Sequence, residues 1–486
     1  MRKITYRNIA FLLTLSIAVI SYRCQHSQTK EKTIVGSVPK EKHNDLNDIL
    51  KQNKLTVLVE NSANSYFIYR GQKMGLEYEI LNEFAREIGV KLHIKIVKDL
   101  DEITDKLNNG EGDLISCNYT VTKDRRQAID FSIPYIRTSQ VLVQRKPENW
   151  RKLRKREWQK EVIRDPAELA QKEIHVWKNS SYYDRLINLQ NELGDTIFLT
   201  PLDGNVIPED VIEMVANNFI DYTVTDRNVA LLNQRFYPNI DAELELSVKQ
   251  KIAFGVRKSS PLLRKKLNAW LKDFMKTSTY RYIKHKYLNI SQFSRKSKNQ
   301  YSSIGGNKIS PYDNIIKKVA AQYNWDWRLI AALMFQESKF RLKQESWAGA
   351  YGLMQFMPSV GPAYGVFPDS PPAVQIRGGA KKLAHDYNQW ETVPDSIQRL
   401  KFTLATYNAG RGHILDAQRL AKKYGKDPLV WDDNVEVFIQ RLSQPKYYHD
   451  PKCYYGYLRG TETYNYVRDI FIRYDEYQSA FPDKEV

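Results

Sequence analysis

The sequence predicts two architectures in one chain: a two-lobed α/β part followed by a mostly α part. Three observations carry this expectation. From Leu55 short β-rich runs alternate with helical runs, which is βαβ organisation around parallel strands. From Pro311 apolar residues recur at helical spacing to the C-terminus, and between the two parts residues 291–310 are rich in Ser, Lys, Asn and Gly with little apolar content, as in a linker.

The chain has 486 residues, enough for two or three domains with full cores. With 42% apolar and 27% charged residues it is not a disordered composition. Lys and Arg outnumber Asp and Glu by 74 to 56, a formal charge of +18 that favours polyanionic surroundings: nucleic acid, anionic lipid or a carboxylate-bearing cell-wall polymer. Zinc-like Cys/His spacing, a P-loop and nucleic-acid motifs are all missing from the sequence, so neither nucleic acid nor a metal is an expected partner.

Met1-Arg-Lys and Arg7 precede an apolar run over residues 9–20, too short to span a bilayer comfortably and of the length of a signal-peptide core. Residues 1–24 are therefore expected to be a signal peptide or anchor, and the polar residues 25–52 a tether. Cys24 directly after the run resembles the acylated cysteine of bacterial lipoproteins, with simple secretion or an uncleaved anchor as alternatives. The expected location is periplasmic, attached to the outer membrane. Cys117 and Cys453 fall in different predicted domains, imply no disulfide framework and are expected to be buried free thiols.

In residues 53–290, strands are expected at 55–59, 91–97, 114–117, 173–177 and 220–226, and a returning β segment at 243–256. Helices are expected at 79–88, 103–108 and 261–277, and the basic stretch 146–164 reads as a solvated connecting helix. Gly71-Gln-Lys-Met-Gly75-Leu-Glu-Tyr-Glu79 and the run from Asn118 to Ser132, with its T-x-T-x-x-R pattern, resemble the extracellular solute-binding proteins that recognise amino acids and related small molecules. The resemblance implies two lobes around a cleft. It also implies that Thr120 and Arg125 hold a ligand carboxylate, which a guanidinium can grip bidentately. Ser181 at a helix start would meet an anionic group, although capping the helix is the commoner role. Asp226 would face a ligand amine, and Tyr66, Phe67 and Tyr119 could line the cleft.

Residues 311–486 hold one carboxylate whose surroundings suit chemistry. With residues 327–340 as a helix, Ile330, Leu333, Met334 and Phe340 share a face with Glu337. A carboxyl there loses hydration, which raises its pKa towards that of a general acid near neutral pH; the alternative is a Glu at the rim of the stripe reaching solvent. Further helices are expected at 311–322, 378–390, 398–407, 413–424 and 463–477.

Four motifs, Gln336-Glu-Ser338, Gly352-Leu-Met-Gln355, Thr406-Tyr-Asn-Ala-Gly410 and Glu462-Thr-Tyr-Asn-Tyr-Val467, together resemble the soluble-lytic-transglycosylase family with its goose-lysozyme-like helical fold. A periplasmic-binding-protein-like α/β domain followed by such a lysozyme-like domain resembles the membrane-bound lytic murein transglycosylases. The resemblance implies cleavage of the β-1,4 bond between N-acetylmuramic acid and N-acetylglucosamine in peptidoglycan, with no cofactor. Glu337 would act first as acid and then as base, leaving a 1,6-anhydro end. Ser338 and Tyr407 would orient it, Gln355 and Asn408 would bind sugars, Met354 would line the cleft, and Glu462 and Tyr466 would complete the site. Tyr464 stands where many relatives carry Arg. Glu345, Asp369 and Asp386 read as surface acids. Two rival readings stay open: a lysozyme-type muramidase using water, and a non-catalytic wall or solute sensor. An amino-acid or muropeptide-like ligand is expected in the N-terminal cleft.

Overall fold

A computed structural model describes residues 44–234, 236–288 and 299–483, so the expected signal peptide, Cys24 and residues 25–43 of the tether lie outside the described residues. Residues 44–52, expected to be tether, instead belong to the first lobe: Asp45 accepts the Leu262 and Leu263 N–H groups, and Ile49 of the helix Leu46–Gln52 is fully buried in the core. Among the described residues no helix is long and apolar enough to cross a membrane.

The strands of the first lobe are β1 (Lys54–Val59), β2 (Phe67–Tyr69), β3 (Gln72–Met74), β4 (Lys91–Ile96), β5 (Leu114–Ser116) and β6 (Asp130–Phe131). β7 (Ile136–Thr138) leads to the second lobe, with β8 (Gln140–Arg145), β9 (Glu173–Trp177), β10 (Phe198–Leu202), β11 (Tyr222–Asp226) and β12 (Ile240–Asp241). β13 (Gln250–Ile252) and β14 (Gly255–Val256) bring the chain back. The first sheet runs β4-β1-β5-β14-β6, with β1 parallel to both β4 and β5. The second runs β10-β9-β11-β8-β12, parallel in its first half and antiparallel where β8 meets β11 and β12. β7 and β13, the outward and return connections, pair antiparallel with Gln250 opposite Thr138. The lobes are thus joined by a two-stranded ribbon, and their facing edges make a cleft.

Leu142, Val176, Leu186 and Val224 form a core for the second lobe alone. The first lobe does not end at its own boundary. Val57, Phe84 and Leu267 belong to the same apolar cluster as Ile330, Leu333, Phe402 and Val467 of the helical part. That part is built from helices Asp313–Ala321, Trp327–Ser338, Pro372–Asn388, Ser396–Ala409, Arg411–Lys423, Glu436–Arg441 and Gly460–Ala480. The last packs along Trp327–Ser338 and, farther down, against edge strand β4.

A small element makes the second junction. The β2–β3 hairpin places Gly71, at φ +74°, against the helical part, where a Cβ would stand 2.6 Å from both the Phe335 ring and the Tyr477 hydroxyl. Only glycine fits that turn. The Tyr477 hydroxyl donates to the Gly71 carbonyl at 3.2 Å, and Lys73 pairs with the buried Glu476 at 2.7 Å. Residues within the stretch read as a linker close the other edge: Arg70 N–H donates to the Tyr301 carbonyl and Ser303 N–H to the Ile68 carbonyl, both at 2.9 Å, and Ser302 and Ser310 are fully buried. The hydroxyls of Ser302, Ser303 and Ser310 accept the backbone N–H groups of Ile304, Ile68 and Tyr312.

Three further expectations are corrected. The basic stretch 146–164 is mostly turns, with one short helix at Lys155–Trp158, because Trp158 is buried and Lys146 lies over the Trp150 and Trp158 rings, folding the segment onto itself. The helix carrying Glu337 ends at Ser338, since Lys339 (φ 52°) and Phe340 (φ 63°) turn left-handed; Phe340 instead packs edge-on to Phe335. Cys453 is half-buried and free, whereas Cys117 is buried and free.

Candidate active site and ligand cleft

The Trp327–Ser338 helix is set by its first turn. Asp326 caps it, accepting the Arg328 N–H at 2.9 Å, and also takes the Tyr474 hydroxyl (3.1 Å) and the Gln478 amide (3.0 Å) from the last helix. One carboxylate therefore fixes the register of the two helices. Ile330, Leu333 and Met334 are fully buried, which leaves Glu337 at the end of the apolar stripe, half-buried, with protein around most of its carboxyl.

The Tyr466 hydroxyl donates to Glu337 Oε1. Burial pushes the Glu337 carboxyl up from 4.5 to about 7, and the Tyr466 hydrogen bond and then the positive charge of Lys382 hold it back from going further. The group is thus poised to be protonated or ionised near neutral pH. Tyr466 and Tyr407 are themselves pushed well above the ordinary phenol range, by burial first and then by Glu337, so both stay neutral donors.

Around this pair the predicted residues divide. Tyr407 donates to the Met354 carbonyl at 3.0 Å, which ties the glycine-punctuated loop to the Ser396–Ala409 helix. Met354 itself is buried, its side chain packed where a Cβ on Gly379 would stand, so it offers the site a carbonyl rather than a thioether. Gln355, at φ 48°, donates to the Gln344 (3.0 Å) and Gly352 (2.9 Å) carbonyls and so braces the loop. Asn408 is exposed and accepts from Thr463 at 2.8 Å, one turn before Tyr466. Glu462 lies on the exposed side of the first turn of the last helix. Ser338 does not reach Glu337: its hydroxyl is buried and donates back to the Met334 carbonyl at 3.1 Å, as a serine inside a helix commonly does. Tyr464 carries Arg468 over its ring at 5.3 Å, so a guanidinium returns one turn later.

Glu345 and Asp369 are exposed, but the surface reading of Asp386 is wrong. It is buried and bonded to Lys382 at 2.7 Å, and Lys382 sits 3.9 Å from the Tyr407 ring centroid. The spacing of four residues was visible in the sequence; that it faced inward was not.

The N-terminal cleft is lined from both lobes by Glu60, Tyr119, Thr120, Arg125, Trp177, Ser181 and Tyr182 among others. Arg125 is held by the Thr120 carbonyl at 3.0 Å and by the Tyr119 ring, 3.9 Å below. Ser180, not Ser181, caps the following helix by accepting from Tyr183 N–H at 3.2 Å; Ser181 accepts from Gln140 at 3.1 Å. Asp226 is fully buried and already engaged by Asn118 (2.6 Å) and Tyr182 (3.0 Å), while its Oδ1 has no partner. Burial pushes it up to about 7. Tyr66 and Phe67 do not line the cleft but lie in the core shared with the helical part. Trp177, which sequence reasoning missed, spans the lobes by donating to Asp101 at 2.8 Å, and Leu100 N–H meets the Gly204 carbonyl at 3.1 Å. The lobes are closed on each other.

Residues 55–290 match the model of bacterial extracellular solute-binding proteins, family 3, and residues 314–430 match the transglycosylase SLT domain. A relative from Desulfosudis oleivorans named membrane-bound lytic murein transglycosylase F is 34% identical over 428 residues, covering 88% of this chain and 90% of that one. The chain belongs to the membrane-bound lytic murein transglycosylase F family. A member from Vibrio cholerae is 32% identical over 445 residues, with 89% and 81% covered. The solved structure of an ancestral arginine-binding protein bound to arginine is also similar, at 23% identity and a TM-score of 0.42, covering 49% of this chain and 99% of that one. Family membership accords with the order of architectures above: a two-lobed α/β domain, then a helical one.

Proposed function

We propose that this chain is a peptidoglycan lytic transglycosylase that cleaves the β-1,4 bond between N-acetylmuramic acid and N-acetylglucosamine. The observation that carries the reading is Glu337: a desolvated carboxyl bonded by one tyrosine, with the other buried carboxylate of the cluster, Asp386, taken up by Lys382. Ordinary glycosidases set two carboxylates across the bond, one of them for water or for covalent attack. Here one group serves twice. Protonated Glu337 gives its proton to the glycosidic oxygen as the C1–O bond breaks. The resulting carboxylate takes the proton of the muramic acid 6-hydroxyl, whose oxygen closes on C1 to form the 1,6-anhydro ring. Glu337 ends protonated and no water is consumed. Tyr466 orients the carboxyl, Tyr407 holds the loop carrying Gln355, and Gln355, Asn408 and Glu462 face the sugars.

The α/β domain binds an amino-acid or muropeptide-like ligand through Arg125, with Thr120, Ser181 and Asp226 completing the cleft. The domains are residues 44–290 and 311–486. The β2–β3 hairpin supports a regulatory role for the first, because it belongs to the ligand-binding lobe yet touches Phe335, two residues before Glu337. The protein works at the periplasmic face of the envelope, anchored through Cys24 in the outer membrane. Digestion of sacculi followed by mass analysis tests the reaction. Ends lighter by one water than reducing ends are expected from wild type, and none from Glu337→Gln; hydrated ends or a fully active variant would overturn it.

A further inference from the structure

We propose that Lys382 is a positioning residue for the Glu337 reaction: its ammonium, fixed by Asp386 and seated on the Tyr407 ring, is a built-in cation that favours the ionised, base form of Glu337. The inference rests on the transglycosylase reading above. It begins from a pair that helix stability does not explain. Lys382 and Asp386 are four apart on the Pro372–Asn388 helix, with side chains 16% and 7% exposed. Lys before Asp is the weaker orientation for such a pair, and buried ion pairs seldom stabilise more than apolar residues of equal volume. The pair is therefore weakly accounted for by folding, and its surroundings supply another account.

Those surroundings are the active site. The ammonium is bonded to Asp386 Oδ2 at 2.7 Å and lies 3.9 Å from the centroid of Tyr407, the residue that holds the Met354 carbonyl. A cation over an aromatic face is attracted by the ring quadrupole, so Lys382 is held from two sides. From that place its charge acts on Glu337, to which Tyr466 donates from the last helix; Tyr407 from Ser396–Ala409 is the other titratable group beside the carboxyl. The Asp313–Ala321 helix and the β2–β3 hairpin, also packed on the acid helix, bring no charged group among those acting on Glu337. Asp386 acts on Tyr407, Tyr466 and Tyr364.

The chemistry asks for such a group. An acid that becomes a base within one turnover needs both of its states accessible, and burial alone favours only the neutral one. A neighbouring cation restores the anion. Asp386 fixes that cation; burial raises its own carboxyl while Lys382 holds it down, so the pair takes it up and it does not stand as a second free carboxylate.

The test is the pH profile of kcat/KM for release of anhydro ends from sacculi by the full chain. The alkaline limb reports loss of the acid's proton. Removing the cation should raise the pKa of Glu337, so Lys382→Met should move that limb upward by about half to one pH unit, while Lys382→Arg keeps it at the wild-type position. A folded Lys382→Met enzyme that is slower by one factor at every pH, or unchanged at every pH, overturns the proposal. Lys382→Gln serves if the Met variant does not fold; if neither folds, the pair is structural and the proposal fails. Glu337→Gln, run alongside, separates the two levels: activity there defeats the transglycosylase reading itself, whereas an inactive Glu337→Gln with an unmoved Lys382→Met limb defeats only the role of Lys382.

Discussion

Glu337→Gln should do more than stop turnover: it should change how stability depends on pH. Burial takes the carboxyl from 4.5 to about 7 in the folded chain. Between those values the native state keeps a proton that the unfolded chain has lost, so wild-type stability falls as pH rises. The contribution is fully present below about pH 4.5 and gone above about pH 7. At about 1.4 kcal/mol per pH unit, the loss is about 3 kcal/mol. Glutamine keeps the shape and the Tyr466 contact but carries no titrating proton. Glu60, Glu77 and Asp226, all raised by burial, behave alike in both proteins and cancel in the difference. Urea unfolding of both proteins at pH 4.5, 6 and 8 should show similar stability at the lowest pH and a variant more stable by about 3 kcal/mol at the highest. A difference that stays constant across that range would mean that Glu337 is an ordinary solvated carboxylate, and would remove the physical basis of its acid role.

Tyr466→Phe should lower kcat about 10- to 100-fold and move the alkaline limb upward, because its hydroxyl holds the Glu337 carboxyl down; rates of sacculus digestion across pH read both effects. Arg125→Ala should weaken binding of stem-peptide fragments by about 10- to 100-fold in calorimetry, with equal heats for both proteins removing Arg125 from the cleft. Gly71→Ala should cost about 1–3 kcal/mol of stability in urea unfolding, since its Cβ meets Phe335 and Tyr477 at 2.6 Å and the backbone there is left-handed.

Local patterning was the legible part. The helix at Ile103–Asn108 and the strand at Glu173–Trp177 follow directly from apolar spacing, and the apolar stripe that desolvates Glu337 was readable as Ile330, Leu333 and Met334. What escaped were features set by a neighbour distant in sequence. Nothing local announces a left-handed turn at Lys339 and Phe340, two residues that ordinarily avoid it; packing of Phe340 on Phe335 decides it. Lys382 and Asp386 look like a solvated helix pair until Tyr407 covers them. Tyr66 and Phe67 look like cleft aromatics until the helical part takes them into its core. Ser338 sits in the same motif as Glu337, yet helix geometry turns it inward to Met334.

The hairpin at Gly71 has a thermodynamic corollary. It is a first-lobe element seated on the helix that carries Glu337, so the two sites share one mechanical part, and free energies of binding through a shared part are reciprocal. Whatever factor a cleft ligand applies to glycan affinity, the glycan must apply to the cleft ligand. A cell-wall strand held at Glu337 would then act as an effector of the α/β domain, and occupancy of the cleft would report on wall engagement as much as on ligand concentration.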